Sequence, residues 1–472
     1  MTKDRTVSKD IALTRNAVAY AWRELGGRVG VKGSFESIGI SVYYCDPAKV
    51  RCNGPSIVVA PCGSKALEEV VNGSSDDTIW VRQEEVLPAG HRALAGDKIP
   101  FLLWGEGYGD RNKPAVEMRE SSQVVFNADI VASTVFMLSR LEEIVIPGRD
   151  AYGRFLPEAS IAYRRGFLNR PIIDEYALIL RAWLEVLVPG WKPNKRTFKV
   201  KLGHDIDLVR PFSDAETAVR TIVGHILKRK SLSLAWNAAR DACYQVIAPE
   251  KNSIFRGIYD LAQESRKHGI ESAFYFMAAE KSPQDSGYDL LQSWIRQSVI
   301  DLRKSGFEIG FHAGYETFDD VEKLAAEKHK FESAVGKGTY GGRQHYCRFK
   351  VPDTWRHLEK VGISYDASMG YPQKEGFRCG TCHPFRPFDI EHDREMDILE
   401  YPFIAMDGTF TVYRHLTHEE AEECILKIAE RCRRVEGIFS LVWHNDMLTY
   451  ERRPWIDMYK RVIGLLARMQ AA

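Results

Sequence analysis

Four short stretches of this 472-residue chain carry side chains that could do chemistry together. The first is His204-Asp205-Ile206-Asp207. If it continues a strand, Asp205 and Asp207 project from one face. Two carboxylates brought to one place repel unless a metal ion or a proton lies between them, and one as metal ligand beside the other as general base is a workable division of labour. The second is Glu308-Ile309-Gly310-Phe311-His312, an imidazole delivered at a strand mouth. Glu316 follows four residues on and would face the same ion if a helical turn begins there. The third is 341–349, GGRQHYCRF, in which Arg343 could hold and orient a carboxylate through bidentate hydrogen bonds. The fourth is Leu441-Val442-Trp443-His444-Asn445-Asp446. A histidine titrating near neutrality suits a general acid that protonates a leaving amine. Taken alone, each stretch also has an ordinary reading: an aspartate that caps a helix, a half-buried histidine, a charged surface loop.

Residues so far apart can act together only on a scaffold that gathers strand ends. From Thr197 onward the pattern alternates between strands and helices. Residues 198–202 form a strand running into His204-Asp205, 272–277 a second, 307–311 a third running into His312, and 437–443 an apolar strand running into His444. A further strand is expected over 398–405, interrupted by Pro402, and 363–365 lead into Asp366. Helices are expected over 288–305, 320–335 and 455–469, and Thr417 with Glu420 forms a capping box for a helix reaching Arg434. Repeated β-α units imply a parallel sheet, and an α/β barrel is its natural closure. Chemistry in such barrels sits at the carboxyl ends of the strands, where Asp205, His312 and His444 fall.

Upstream the signals are structural. A helix is expected over 11–25 and short strands over 56–60 and 101–104, the latter ended by Gly105 and Gly107. Residues 127–144 read as an amphipathic helix, with Ile130, Val131, Val135, Phe136 and Leu138 on its apolar side and Arg140, Glu142 and Glu143 on its polar side. A second helix over 174–188 is stopped by Pro189-Gly190. The expected division is a mixed α/β segment 1–84, an α+β accessory domain 85–195 of unknown function, and the barrel 196–472.

Composition narrows the class. Hydrophobic residues are 44% and charged residues 27% of the chain, ordinary for a globular protein with a sizeable core. A net charge of +1 argues against a nucleic-acid binder. The basic runs Lys228-Arg229-Lys230 and Arg431 to Arg434 read as solvated helix faces. No apolar stretch approaches a membrane span and 1–14 holds no apolar leader core, so a cytoplasmic protein with reduced thiols is expected. Cys379-Gly-Thr-Cys382-His383 has no second cysteine pair to complete a zinc site and is expected to be a structural turn near the site.

In their order and placement these landmarks resemble the NodB-like polysaccharide deacetylases, carbohydrate esterase family 4, over about 199–472. The resemblance implies a distorted (β/α) barrel and a metal-dependent hydrolase that removes an N-acyl, typically acetyl, group from an amino sugar. It implies Asp205 as catalytic base, Arg343 as the residue orienting it and His444 as general acid. Asp207 and His312 would be ligands of a divalent metal, zinc in the first instance. The segment Tyr365-Asp366-Ala367-Ser368 matches the family's aspartate segment. The family's His-x-x-x-His has Glu316 at its second position here, and Ile206 separates aspartates that are usually adjacent. Carboxylate oxygen also binds zinc, which makes Glu316 the expected third ligand, with His345 a spare ligand or substrate contact. Arg348, Asp366, Arg378 and Trp443 are the other expected substrate contacts. The stretches 137–143, 342–346 and 376–382 further resemble a subgroup that carries an N-terminal domain of unknown function. Such a protein would act on a glycan or a nucleotide- or lipid-linked glycan precursor. Other readings are a deformylase or amidase on the same barrel, and an inactive glycan-binding or scaffolding protein.

Overall fold

The computed structural model describes residues 13–71, 79–91, 98–106 and 113–472. Ile11 and Ala12 of the first expected helix, Gly107 after the second expected strand, and most of the 1–14 segment lie outside these residues. The first half runs α1 (Arg15–Val29), β1 (Ser41–Tyr44), β2 (Ser56–Val59), α2 (Ser64–Val71), β3 (Ile79–Arg82), β4 (Lys98–Phe101), β5 (Val116–Arg119), β6 (Gln123–Phe126), α3 (Ile130–Ser139), α4 (Leu141–Val145), α5 (Ile161–Arg164) and α6 (Ile172–Leu187). One sheet has the order β1-β2-β6-β5, and β3 pairs with β4 in a separate two-stranded sheet. This sheet crosses the expected boundary at residue 84, since β2 before it pairs in parallel register with β6 after it. Strands from both sides of the expected 84/85 division thus share one sheet.

The helix expected over 127–144 begins where Asp129 accepts from the amide of Ala132 and breaks at Arg140, which adopts φ 53. The polar side expected to face solvent is interior: Arg140, Glu142 and Glu143 are all buried. Periodicity identified the helix, but tertiary contacts covered its polar residues with partners rather than water. Arg140 donates to Glu143 (2.8 Å) and Glu142 (2.7 Å). Arg378 grips Glu143 in a two-point contact at 2.9 and 2.6 Å.

The second half runs β7 (Lys199–Ile206), α7 (Ala215–Leu227), α8 (Leu232–Ile247), α9 (Ser253–His268), β8 (Glu271–Met277), α10 (Ser293–Lys304), β9 (Glu308–Ala313), α11 (Val321–Val335), β10 (Gly341–Gln344), α12 (Asp353–Lys360), β11 (Tyr365–Asp366), β12 (Phe388–Asp389), β13 (Arg394–Glu395), β14 (Leu399–Glu400), β15 (Ala405–Met406), α13 (His418–Arg434), β16 (Ile438–Val442) and α14 (Arg453–Ala471). Eight of these strands form a parallel sheet in the order β14-β11-β10-β9-β8-β7-β16-β15. The strand expected over 398–405 is in fact two strands on opposite edges, and Tyr401 to Ile404 carry the chain between them. Tyr401 donates to Asp366 beside one edge, while Ile404 donates to Ser440 beside the other. The sheet therefore curls toward closure as a distorted barrel. The capping box of Thr417 and Glu420 opens α13 as expected. Among the described residues no helix is long and apolar enough to cross a membrane.

The two halves interlock through the 370–383 segment. Asp174 of α6 accepts from Arg28 (3.0 Å), from the hydroxyl of Thr381 (2.6 Å) and from the amide of Cys382 (2.9 Å). The C-x-x-C-H stretch is thus a structural turn with free, buried thiols. None of its residues lines the large cavity at the strand ends.

Candidate metal centre

The carboxyl ends of the strands open into a cavity of about 730 Å³. β7 brings Asp205 and Asp207 there, β9 brings His312, and His444 follows β16. Passage of side chains through the barrel depends on missing Cβ atoms. A Cβ on Gly203 would lie 2.6 Å from the Arg343 guanidinium, and one on Gly310 would lie 2.3 Å from the Tyr275 ring. With both positions bare, Arg343 stacks over Tyr275 at 4.5 Å and reaches across β7 to Asp205.

The Asp205 carboxylate takes a 2.7 Å hydrogen bond from Arg343, whose Nε is tied at 2.8 Å to the Ala367 carbonyl. Burial opposes its ionisation, but Arg343, His312 and His444 together hold its pKa below the ordinary value. Asp207 stands beside it. Its Oδ1 is 3.0 Å from His312 Nε2, and its Oδ2 is 3.6 Å from His345 Nε2. Burial opposes charge on Asp207 as well, yet His345 and its other imidazole neighbours keep it well below the usual carboxylate range.

Asp207, His312 and His345 each offer a ligand atom, all within 4.8 Å of one another. The donor set suits a borderline cation such as zinc. The far nitrogens are already engaged: His312 Nδ1 lies 2.9 Å from the Arg343 carbonyl and His345 Nδ1 lies 2.7 Å from Asp285. Such outer contacts fix the ring orientation and leave Nε2 for the metal. Asp285 is itself held by the Tyr315 amide at 3.1 Å and the Ser282 hydroxyl at 3.0 Å. Burial works against charge on His345, but Asp207 and Asp285 lift it to about 9.

His444 faces the same cluster, with Nε2 3.6 Å from Asp207 and 3.9 Å from Asp205. Its Nδ1 lies 2.7 Å from Asp407, which also takes the His444 amide at 2.6 Å. Burial would lower its pKa, and Asp407, Asp207 and Asp205 outweigh that and raise it well above the ordinary value.

Several expected site residues lie elsewhere. Glu316 is not in the cluster: its side chain is 59% exposed and sits 3.7 Å from Arg348. His345, directly after β10, completes the three-residue cluster in place of Glu316, which is the exposed residue of the 314–318 turn. Arg348 is sandwiched at 3.9 Å from both the Tyr315 and Phe318 rings and bonds backbone carbonyls of Tyr152 and Tyr315. Arg378 is consumed by Glu143, and Trp443 is core, packed on Tyr459. Asp366 is buried, takes both the amide and hydroxyl of Ser368, and so shapes the turn whose Ala367 carbonyl anchors Arg343. Of the five residues expected to touch substrate, His345 alone lines the cavity.

Asp285, Asp407, Arg154 and Tyr346 were not anticipated. Asp407 follows β15 directly and would have shown itself had 398–405 been divided at Pro402. Asp285 sits in an irregular loop without a strand-end signal. Arg154 comes from the first half, lines the cavity, and bonds the Tyr413 hydroxyl at 3.1 Å and the Tyr346 carbonyl at 3.3 Å.

Residues 68–189 match the model of a family of unknown function, DUF7033. That match spans the 84/85 position, as the first sheet does. A crystal structure of a candidate polysaccharide deacetylase from Mycobacterium smegmatis aligns with a TM-score of 0.37 at 14% identity, over 59% of this chain and 87% of that chain. No curated protein matches the chain.

Proposed function

We propose that the protein is a metal-dependent hydrolase that cleaves an N-acyl group, acetyl in the first instance, from an amino sugar of a glycan or glycan precursor. One observation carries the reading: a carboxylate oriented by arginine, an Asp-His-His cluster and a carboxylate-backed histidine meet at one cavity. The motif resemblance points to the same chemistry.

A divalent cation held by Asp207, His312 and His345 would lower the pKa of water and polarise the acyl carbonyl. Asp205, kept ionised by Arg343, accepts the proton of the attacking water. The water oxygen bonds to the acyl carbon and the carbon–nitrogen bond breaks. His444, held protonated by Asp407, gives its proton to the departing amine. The products are a carboxylate and a free amino sugar. The mouth is broad enough for a sugar ring, and Tyr346 and Tyr413 line its wall.

The test is to purify the chain, measure its metal content, and assay acetate and formate release from N-acylated sugar conjugates. Stoichiometric metal with acetate release that Asp207→Ala abolishes supports the reading. Formate release alone would make it a deformylase. A chain that takes up no zinc, manganese or cobalt and releases no acid would leave it a binding protein.

A further inference from the structure

Soluble helix hairpins turn their large apolar residues inward. The α7–α8 hairpin does the reverse. Its inner seam is made of Ala218, Ala235 and Ala238 with Phe212 and the half-buried Ile222 and Ala242, while most of the large apolar side chains stand outside. Leu227, Leu232, Trp236, Val246 and Ile247 are each 70–80% exposed, and no other large apolar side chain among the described residues exceeds 59%. Val219, Val223 and Ile226 continue the exposed stripe along α7 at helical spacing. Isolated exposed leucines need no explanation, but eight exposed large apolar side chains on two paired helices mark a contact surface.

Its charge says what it contacts. From Val219 to Ile247 the chain carries Arg220, Lys228, Arg229, Lys230 and Arg240, all exposed. The one acid in that span, Asp241, is buried and bound to Ser253, and the hairpin's one exposed acid, Glu216, lies in the first turn of α7, at the far end from the helix connection. Arg229 turns back toward Glu451. The helix connection is thus a basic tip, Lys228 to Lys230, flanked by Leu227 and Leu232, with an indole one turn further along α8. Apolar side chains that enter the acyl boundary, a tryptophan at headgroup level and basic residues over anionic headgroups are the chemistry of an interfacial docking element.

We propose that the α7–α8 hairpin docks the protein onto an anionic lipid surface. The hairpin adjoins the mouth, since Pro211, Phe212 and Ser213 before α7 line the same cavity as Asp207 and His444. Docking would hold that mouth beside the bilayer. Lipid-carried amino sugars follow as the substrate class if the hydrolase reading above holds.

The test uses the full chain in co-sedimentation with vesicles of phosphatidylcholine alone or with about a third phosphatidylglycerol. Binding should be stronger on the anionic vesicles by more than about tenfold and weaken with salt. Leu232→Ser with Trp236→Ser should abolish it. Lys228→Glu with Lys230→Glu should remove the preference for anionic lipid. All variants should keep the native circular dichroism and the same acid release from soluble substrate analogues, which separates this outcome from failure of the hydrolase reading. A wild-type chain that stays in the supernatant with both vesicle types overturns the proposal. So does a concentration-dependent dimer that Trp236→Ser dissociates without any vesicle binding, which would assign the stripe to a second copy of this chain.

Discussion

Two buried charge clusters of this molecule both pair carboxylates with cationic side chains and differ in what they leave open. In the cluster that joins the halves, Arg140 and Arg378 face Glu142 and Glu143, and every carboxylate is met by guanidinium or backbone donors. Burial opposes charge on Glu143, but Arg378 and Arg140 hold it at about 2. At the barrel mouth, Asp205, Asp207, Asp285 and Asp407 are matched by one arginine, Arg343, and three imidazoles. That cluster has a surplus of negative charge and imidazole nitrogens aimed at one another across a cavity. Burial of charge therefore does not identify a site by itself. The first cluster is complete as it stands, and the second is completed by protons or a cation.

The largest effects should separate the two. Glu143→Ala leaves Arg378 buried without its carboxylate and Arg140 with Glu142 alone, and removal of one member of a buried pair costs about 3–5 kcal/mol. Urea unfolding should register that loss, while the fraction still folded keeps its metal and its specific activity. Asp205→Asn should do the opposite: turnover falls by about 10²–10⁴-fold, with the unfolding midpoint and metal content little changed. If Asp205→Asn unfolds the protein while Glu143→Ala only lowers turnover, the contrast between the clusters is wrong.

The sequence exposed the mouth better than the joint because its residues follow strands. Asp205, His312 and His444 each fall at the end of a strand marked in the sequence, and that placement does not depend on where the helices end. The joint had no such mark. Arg140, Glu142 and Glu143 have the spacing of a solvent-facing stripe, and only the approach of the 370–383 segment, more than two hundred residues away, makes them interior. The same limit explains Glu316 and His345. Spacing within one segment favoured Glu316, whereas alignment of β10 with β9, which sets Arg343 opposite His312, brings His345 to the cluster. The exposed stripe of α7 and α8 was illegible for the inverse reason, since its apolar spacing is that of any packed amphipathic hairpin.

Smaller effects should grade the residues behind the imidazoles. Asp285→Asn removes the charge that orients His345, and loss of such an outer contact weakens metal affinity by about 10–100-fold. Competition with a chelator would measure it. Asp407→Asn acts on the other side of the cavity. His444 is held protonated above its ordinary pKa with Asp407 as the largest of the raising influences. Its acid form is present below the raised pKa and lost as pH rises through it. Without the Asp407 charge that pKa falls, so the alkaline limb of the kcat profile should move to lower pH by about one unit or more, with metal affinity unchanged. A shift of the acid limb instead would place the effect on Asp205.

The smallest expected effect is the most pointed. Glu316→Gln should leave metal affinity and turnover within about twofold, as for a surface change, because the carboxylate is exposed and its nearest charged neighbour is Arg348. His345→Ala should weaken metal binding far more, because it deletes a ligand atom of the cluster and leaves Asp285 without its imidazole. The pair of variants asks which residue completes the ligand set. The reverse ranking would mean that the 314–318 turn swings inward when a cation binds, and the third ligand would then belong to the β9 segment rather than to β10.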